Sequence, residues 1–182
     1  MQTASYLKDL FDLSGKTAVV IGGTGELCGT MALGLARAGV EVVIGGRIPE
    51  NAEKRLAEIE SHGGNGYFVP VDVTSRDSLH TLLDKVLDRS GKVDILINGA
   101  GTNSLTPFLE ISEEEYQRII DTNLSAVFRA CQVFGQYFID ESQTASIINL
   151  GSISGLNPLS RAFTYSASKA AVHNLTRNLA RE

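Results

Sequence analysis

The sequence predicts a doubly wound parallel α/β sheet with helices on both faces, and three observations predict it. Five short runs rich in β-branched residues recur as continuous apolar stretches, without the polar alternation of a half-exposed strand. Segments with helical spacing separate them, and glycines or polar capping residues mark the changes from one to the other. Strands that alternate with helices through short links pair in parallel by right-handed crossovers. The expectation is therefore a three-layer, Rossmann-like fold forming one domain over residues 1–182.

The first strand is read at Thr17 to Ile21, ahead of a glycine cluster, and Leu27, Met31 and Leu35 follow at helical spacing. Gly39 returns the chain to a second strand, Val40 to Ile44, and Gly63 and Gly64 to a third, Tyr67 to Val73. Leu79, Leu82, Leu83 and Val86 mark the apolar face of the next helix. Thr74 with Asp77, and later Ser112 with Glu115, match the pattern in which a hydroxyl caps the free amides of a helix start. Gly91 leads into the fourth strand, Val93 to Ile97, and the fifth is Ser146 to Leu150. Asn123 is expected at the start of a helix running to Ile139, whose Val127, Phe128, Val133, Phe134 and Phe138 suit a core or a subunit interface. A last helix is expected from Thr164 to Glu182.

Composition narrows the partners. The 16 Lys and Arg are outnumbered by 21 Asp and Glu, giving a net charge of −5, and no basic run stands out. That excludes a nucleic-acid partner bound through its phosphates. No apolar stretch reaches the ~20 residues that span a bilayer, and the opening MQTASYLKDLFDLSGK lacks the layout of a secretory signal. No membrane partner and a cytoplasmic location are expected. Cys28 and Cys131 have no paired spacing and the 3 histidines are scattered, so neither a disulfide framework nor a metal site is expected.

The glycine cluster carries the first chemical signal. Gly22-Gly23-Thr24-Gly25-Glu26-Leu27-Cys28-Gly29 joins the first strand directly to a helix. In that position glycines let the backbone turn tightly, and the helix amides attract a dinucleotide's pyrophosphate. Gly22, Thr24, Gly25, Glu26 and Leu27 are thus candidate cofactor-binding residues. At the end of the second strand, where an acid would bind the ribose hydroxyls of NAD(H), the sequence has Gly45-Gly46-Arg47. An arginine there can pair with a 2′-phosphate, which favours NADP(H) while leaving NAD(H) open.

The second signal is Tyr165-Ser166-Ala167-Ser168-Lys169. Residues four apart share a helix face, and an ammonium near a phenol favours the phenolate, which suits proton transfer. Ser152 stands thirteen positions earlier, at the end of the fifth strand. Together with the turn at 22 to 29, Val71-Asp72-Val73, Asn98-Gly99-Ala100-Gly101 and Asn123, these motifs resemble the classical short-chain dehydrogenase/reductase family from Leu13 to the last residue. The resemblance implies a nicotinamide-dependent enzyme acting on a CH–OH group. Within it, Tyr165 would pass a proton to or from the substrate oxygen and Ser152 would hold that oxygen. Lys169 would favour the phenolate and hold the nicotinamide ribose, and Asn123 would carry a relay water. Asp72 and Val73 would meet the adenine end, while Asn98, Ala100 and Gly101 would line the cofactor cleft.

The sequence departs from the family pattern where Ile21, Glu26 and Cys28 replace its usual Thr, second Gly and third Gly. Glu26 is the awkward one, because beside a pyrophosphate it repels the ligand unless it turns away. Family members also continue past the Tyr165 helix, so the resemblance implies a chain that lacks the C-terminal strands. Leu10 to Lys16 and the turn look most like gluconate 5-dehydrogenase-like and mannonate oxidoreductase-like members, which points to a sugar acid or polyol bearing a secondary alcohol or ketone. A 3-oxoacyl-carrier-protein reductase and a non-catalytic nucleotide-binding relative stand as the alternatives. The resemblance also implies a homodimer or homotetramer.

Overall fold

A computed structural model describes residues 10–157 and 159–182. The reading of the opening segment falls mainly on residues 1–9, which lie outside the described residues. Five strands, β1 (Thr17–Ile21), β2 (Glu41–Gly46), β3 (Asn65–Pro70), β4 (Ile95–Asn98) and β5 (Ser146–Asn149), form one sheet in the order β3-β2-β1-β4-β5. Every pair is parallel, with Val19 opposite Val43 and Leu96, and Ile97 opposite Ile148. The strand order reverses beside β1, and an open α/β sheet has its natural crevice at that switch point, past the carboxyl ends of β1 and β4.

The helices are α1 (Glu26–Arg37), α2 (Glu50–Ser61), α3 (Arg76–Ser90), α4 (Glu113–Ile120), α5 (Ala126–Asp140) and α6 (Phe163–Leu179). Side chains alternate across β1 because strand residues point to opposite faces. Val19 and Ile21 join Leu79, Leu82 and Phe134 of α3 and α5 in one core layer. Ala18 and Val20 join Ala32, Ala36, Ala52 and Ile59 of α1 and α2 in the other. Val127 and Cys131 of α5 meet Val172 of α6 in a smaller cluster.

Several boundaries move from their expected places, each for a local reason. β3 ends at Pro70 rather than Val73, because its partner β2 ends opposite at Gly46, whose carbonyl takes the Val71 amide at 2.8 Å; Pro70 is tolerated because this is the sheet's edge strand. β4 begins at Ile95, after Val93 and a buried Asp94. The cap of α3 is Ser75, not Thr74: Ser75 Oγ accepts the amide of Ser78 at 3.2 Å, while Thr74 is turned to the Asp72 carboxylate. Ser112 caps α4 as the pattern anticipates, accepting from the Glu115 amide at 3.2 Å.

Asn123 does not begin a helix. It lies inside a π turn, Asp121–Ser125, that joins α4 to α5. Because Ser112 starts the helix well upstream, the chain reaches Asn123 already helical, and the widened turn aims its amide at residue 102. α6 ends at Leu179, short of Glu182. Of the apolar α5 residues, Val127, Val133, Phe134 and Phe138 are buried within the chain, whereas Phe128 is 45% exposed.

Candidate active site

The carboxyl ends of β1, β2 and β4 open into a cleft of about 370 Å³. Gly22 turns out of β1 with φ +82°, and a Cβ there would fall 2.8 Å from the Ala100 amide, so only glycine permits this approach of the two crossovers. Gly25 precedes α1 without a side-chain cap, which leaves the leading amides of that helix open for a ligand. An uncapped helix start beside a side-chain-free cradle fits a diphosphate.

The cleft gathers Gly22, Thr24 and Gly25 on one side, Arg47, Asp72 and Val73 at the β2 and β3 end, and Ala100 and Gly101 after β4. Arg47 is exposed there, and its charge is one of the influences that lower the Asp72 carboxyl. The larger influences on Asp72 are the bonds it accepts from the Thr74 hydroxyl at 2.7 Å and amide at 2.9 Å. Five expected cofactor residues do not line the cleft; two of them, Tyr165 and Lys169, lie on α6 in the second cluster described below. Leu27 is 67% exposed, and Asn98 is buried beneath the cleft, bonding Asn149 Oδ1 at 2.9 Å. Glu26 turns to Arg55 of α2, with 2.7 Å between charged atoms. Cys28, at the third glycine position, is buried beneath Gly99.

The other cluster forms where α6 crosses the end of β5. Gly155 sits against the α6 backbone, where a Cβ would meet the Ala170 amide at 2.7 Å, so the turn Ile153–Gly155 lies tightly beside Lys169. Ser152 caps that turn: its Oγ accepts from the Ser154 amide at 3.2 Å and from the Ser154 hydroxyl at 2.9 Å. Among the described residues no acceptor stands for its own hydroxyl hydrogen, which can therefore donate to a ligand. Lys169 Nζ lies 5.7 Å from the Tyr165 ring centre and donates to the Leu150 carbonyl at 2.8 Å. Burial pushes the pKa of this ammonium down, with Cys28 acting the other way.

Asn123 is fully buried, and its amide is spent as a brace. Nδ2 donates to the Thr102 carbonyl at 2.9 Å and to Ser168 Oγ at 3.2 Å, while Oδ1 accepts the Thr102 amide at 2.8 Å. A point beside Gly101, where a Cβ would stand, is 3.5 Å from Asn123 Oδ1 and 3.9 Å from Lys169 Nζ, so the missing side chain keeps open the space between them.

Sequence reasoning missed five neighbours. Arg118 lines the cleft with Thr122 and donates to Thr102 Oγ1 at 2.9 Å; their spacing of four on the approach to Asn123 was a legible signal. Ser154 supports Ser152 through a bond that its position two residues on could have suggested. His173 accepts the Ser152 amide, and Arg55 holds Glu26; nothing local in the sequence announces either.

A glycine turn opening onto an uncapped helix at a sheet's switch point, with Tyr and Lys on a helix that packs against a Ser-capped turn after β5, defines a dinucleotide-binding α/β oxidoreductase domain. The comparisons make the class specific: residues 16–182 match the short chain dehydrogenase family model, and the chain belongs to that family. It is 37% identical to the uncharacterized oxidoreductase UxuB of Bacillus subtilis over 91% of this chain and 64% of that protein. It is 34% identical to gluconate 5-dehydrogenase of Gluconobacter oxydans over 94% of this chain and 67% of that protein. A metagenomic short-chain oxidoreductase solved in complex with NADP superposes with a TM-score of 0.87 at 29% identity, covering 93% of this chain and 77% of that one. An NAD+-bound xylitol dehydrogenase gives 0.86 at 26%, covering 91% and 64%. The chain spans about two thirds of the length of these curated relatives.

Proposed function

We propose that the protein transfers hydride between NADP(H) and a secondary alcohol or ketone of a sugar acid or polyol. The observation that carries this reading is the placement of Lys169 and Tyr165 on one face of α6, against the turn that Ser152 caps, with no acceptor for the Ser152 hydroxyl hydrogen among the described residues. The nicotinamide, when bound, supplies or takes the hydride. Ser152 donates its hydroxyl hydrogen to the substrate oxygen and fixes its direction. Tyr165 gives that oxygen its proton in reduction and removes it in oxidation. Lys169, with one proton committed to Leu150, directs its remaining donors toward the phenol and the cofactor ribose. Asn123 frames the Gly101 side of Lys169, where a relay water exchanges protons with solvent.

Arg47 faces the cleft with no acid beside it on β2, so it would grip a 2′-phosphate; this supports NADP(H) over NAD(H), and the NADP-complexed relative is consistent with it. The sugar-acid class rests on the gluconate 5-dehydrogenase relative. The chain acts in the cytoplasm as a homodimer or homotetramer joined through α5 and α6. Exposed Phe128, with Leu124 and Leu175 lining an adjoining groove, supports that interface.

Parallel fluorescence titrations with NADPH and NADH, followed by a turnover screen of sugar acids and polyols, test the reading. Tighter binding of NADPH with turnover of at least one such substrate is expected. Binding of neither cofactor would refute it.

A further inference from the structure

Glu26 occupies the first turn of α1, where a carboxylate is drawn to the same leading amides that a diphosphate would use. Left to itself it would compete for those amides and repel the ligand. In the structure it is held elsewhere. Its Oε2 lies 2.7 Å from Arg55 Nη2, and Arg55 Nη1 lies 3.0 Å from Glu58 one turn further along α2. Arg55 is only 8% exposed, so its guanidinium is fixed by packing as well as by charge. It reaches Glu26 by passing over Gly29, where a Cβ would stand 2.9 Å from its Cδ and Cζ. The last glycine of the turn thus makes room for an arginine.

We propose that Arg55 is a positioning residue of the dinucleotide site: it draws Glu26 away from the α1 amides and cancels its charge, so that a diphosphate can bind where this chain carries an acid in place of glycine. The inference rests on the reading of the cleft as a dinucleotide site. Because the pyrophosphate is common to both cofactors, the pair governs affinity for NADPH and NADH alike, whereas Arg47 governs the choice between them.

The test is a fluorescence titration of NADPH and NADH against the wild type, Arg55→Met, Glu26→Gln, Glu26→Asp and the Glu26→Gln/Arg55→Met pair. Arg55→Met is expected to weaken both cofactors by roughly three- to tenfold, the effect of one freed charge several ångströms away in a water-lined cleft. Glu26→Asp keeps the charge and leaves α2 untouched, but its side chain is one methylene shorter and stretches the 2.7 Å contact to Arg55, so it should weaken binding in the same direction. The double variant should return to within about twofold of Glu26→Gln, since no carboxylate remains to be restrained. A purely packing role for Arg55 would leave the double variant as weak as Arg55→Met, and that result overturns the proposal. So does unchanged affinity in Glu26→Asp. Binding of neither cofactor to any variant, Glu26→Gln included, overturns the cleft reading and the proposal together.

Discussion

Nε2 of His173, in the middle of α6, accepts the backbone amide of Ser152 at the end of β5, over 3.2 Å. Gly151 leaves room for the ring, since a Cβ there would overlap it. As an acceptor, Nε2 must be unprotonated, so the ring proton sits on Nδ1. The bond sets the orientation of the peptide that carries Ser152. His173→Ala should therefore lower kcat about tenfold through misplacement of the serine, with NADPH affinity unchanged. His173→Gln, whose Oε1 can accept the same amide, should recover most of the loss. Steady-state kinetics set beside titration check this, and equal loss in both variants would remove the role.

Tyr165→Phe deletes the hydroxyl proposed to carry the proton and keeps the ring near Lys169. Turnover should fall about a thousandfold, since general acid/base catalysis and the oriented hydrogen bond are lost together. NADPH binding should hold. Retained turnover would dismiss Tyr165 as the acid/base.

Arg47→Asp places an acid at the end of β2, facing the cleft beside Asp72. It should weaken NADPH by roughly 10- to 100-fold and leave NADH unchanged or tighter, because an aspartate repels a 2′-phosphate and accepts from the ribose hydroxyls. The ratio of the two dissociation constants is the measurement. An unaltered ratio would remove Arg47 from the phosphate site.

Asp94 ties the start of β4 to β1, accepting from Lys16 Nζ at 2.8 Å and from the Thr17 amide at 2.9 Å, with Lys92 Nζ at 3.1 Å. Burial is the largest influence on its carboxyl and pushes it up, but the bonds from Lys16, Thr17 and Lys92 outweigh it and hold the carboxyl below its ordinary value. A carboxyl depressed on folding contributes stability that is present above its unfolded value of about 3.9 and is lost as pH falls through the folded one. Asp94→Asn should cost about 1–3 kcal/mol at pH 7. Urea midpoints measured down to about pH 3 should fall less steeply in the variant than in the wild type.

The legible part of the site is the part whose signal is short in sequence. Tyr165 and Lys169 announce their pairing by a spacing of four, and Gly22 to Gly25 by following a strand. Ser112 declares its cap for the same reason. Thr74 misleads because two hydroxyls stand side by side, and the nearby Asp72 takes one of them, leaving Ser75 for the helix. Asn123 misleads because a π turn lets a helix run on through a residue that looks like a cap.

The sequence by itself determined the alternation of strands and helices, the parallel sheet and the turn that opens the cleft, since periodicity and glycine placement act between neighbours along the chain. Only the tertiary structure decided where individual side chains point. It turned Glu26 to Arg55, buried Asn98 against Asn149, spent Asn123 on Thr102 and set His173 under Ser152. Each of these partners comes from a different element, and the packing of helices against a sheet brings them together through buried contacts that no local pattern along the chain records.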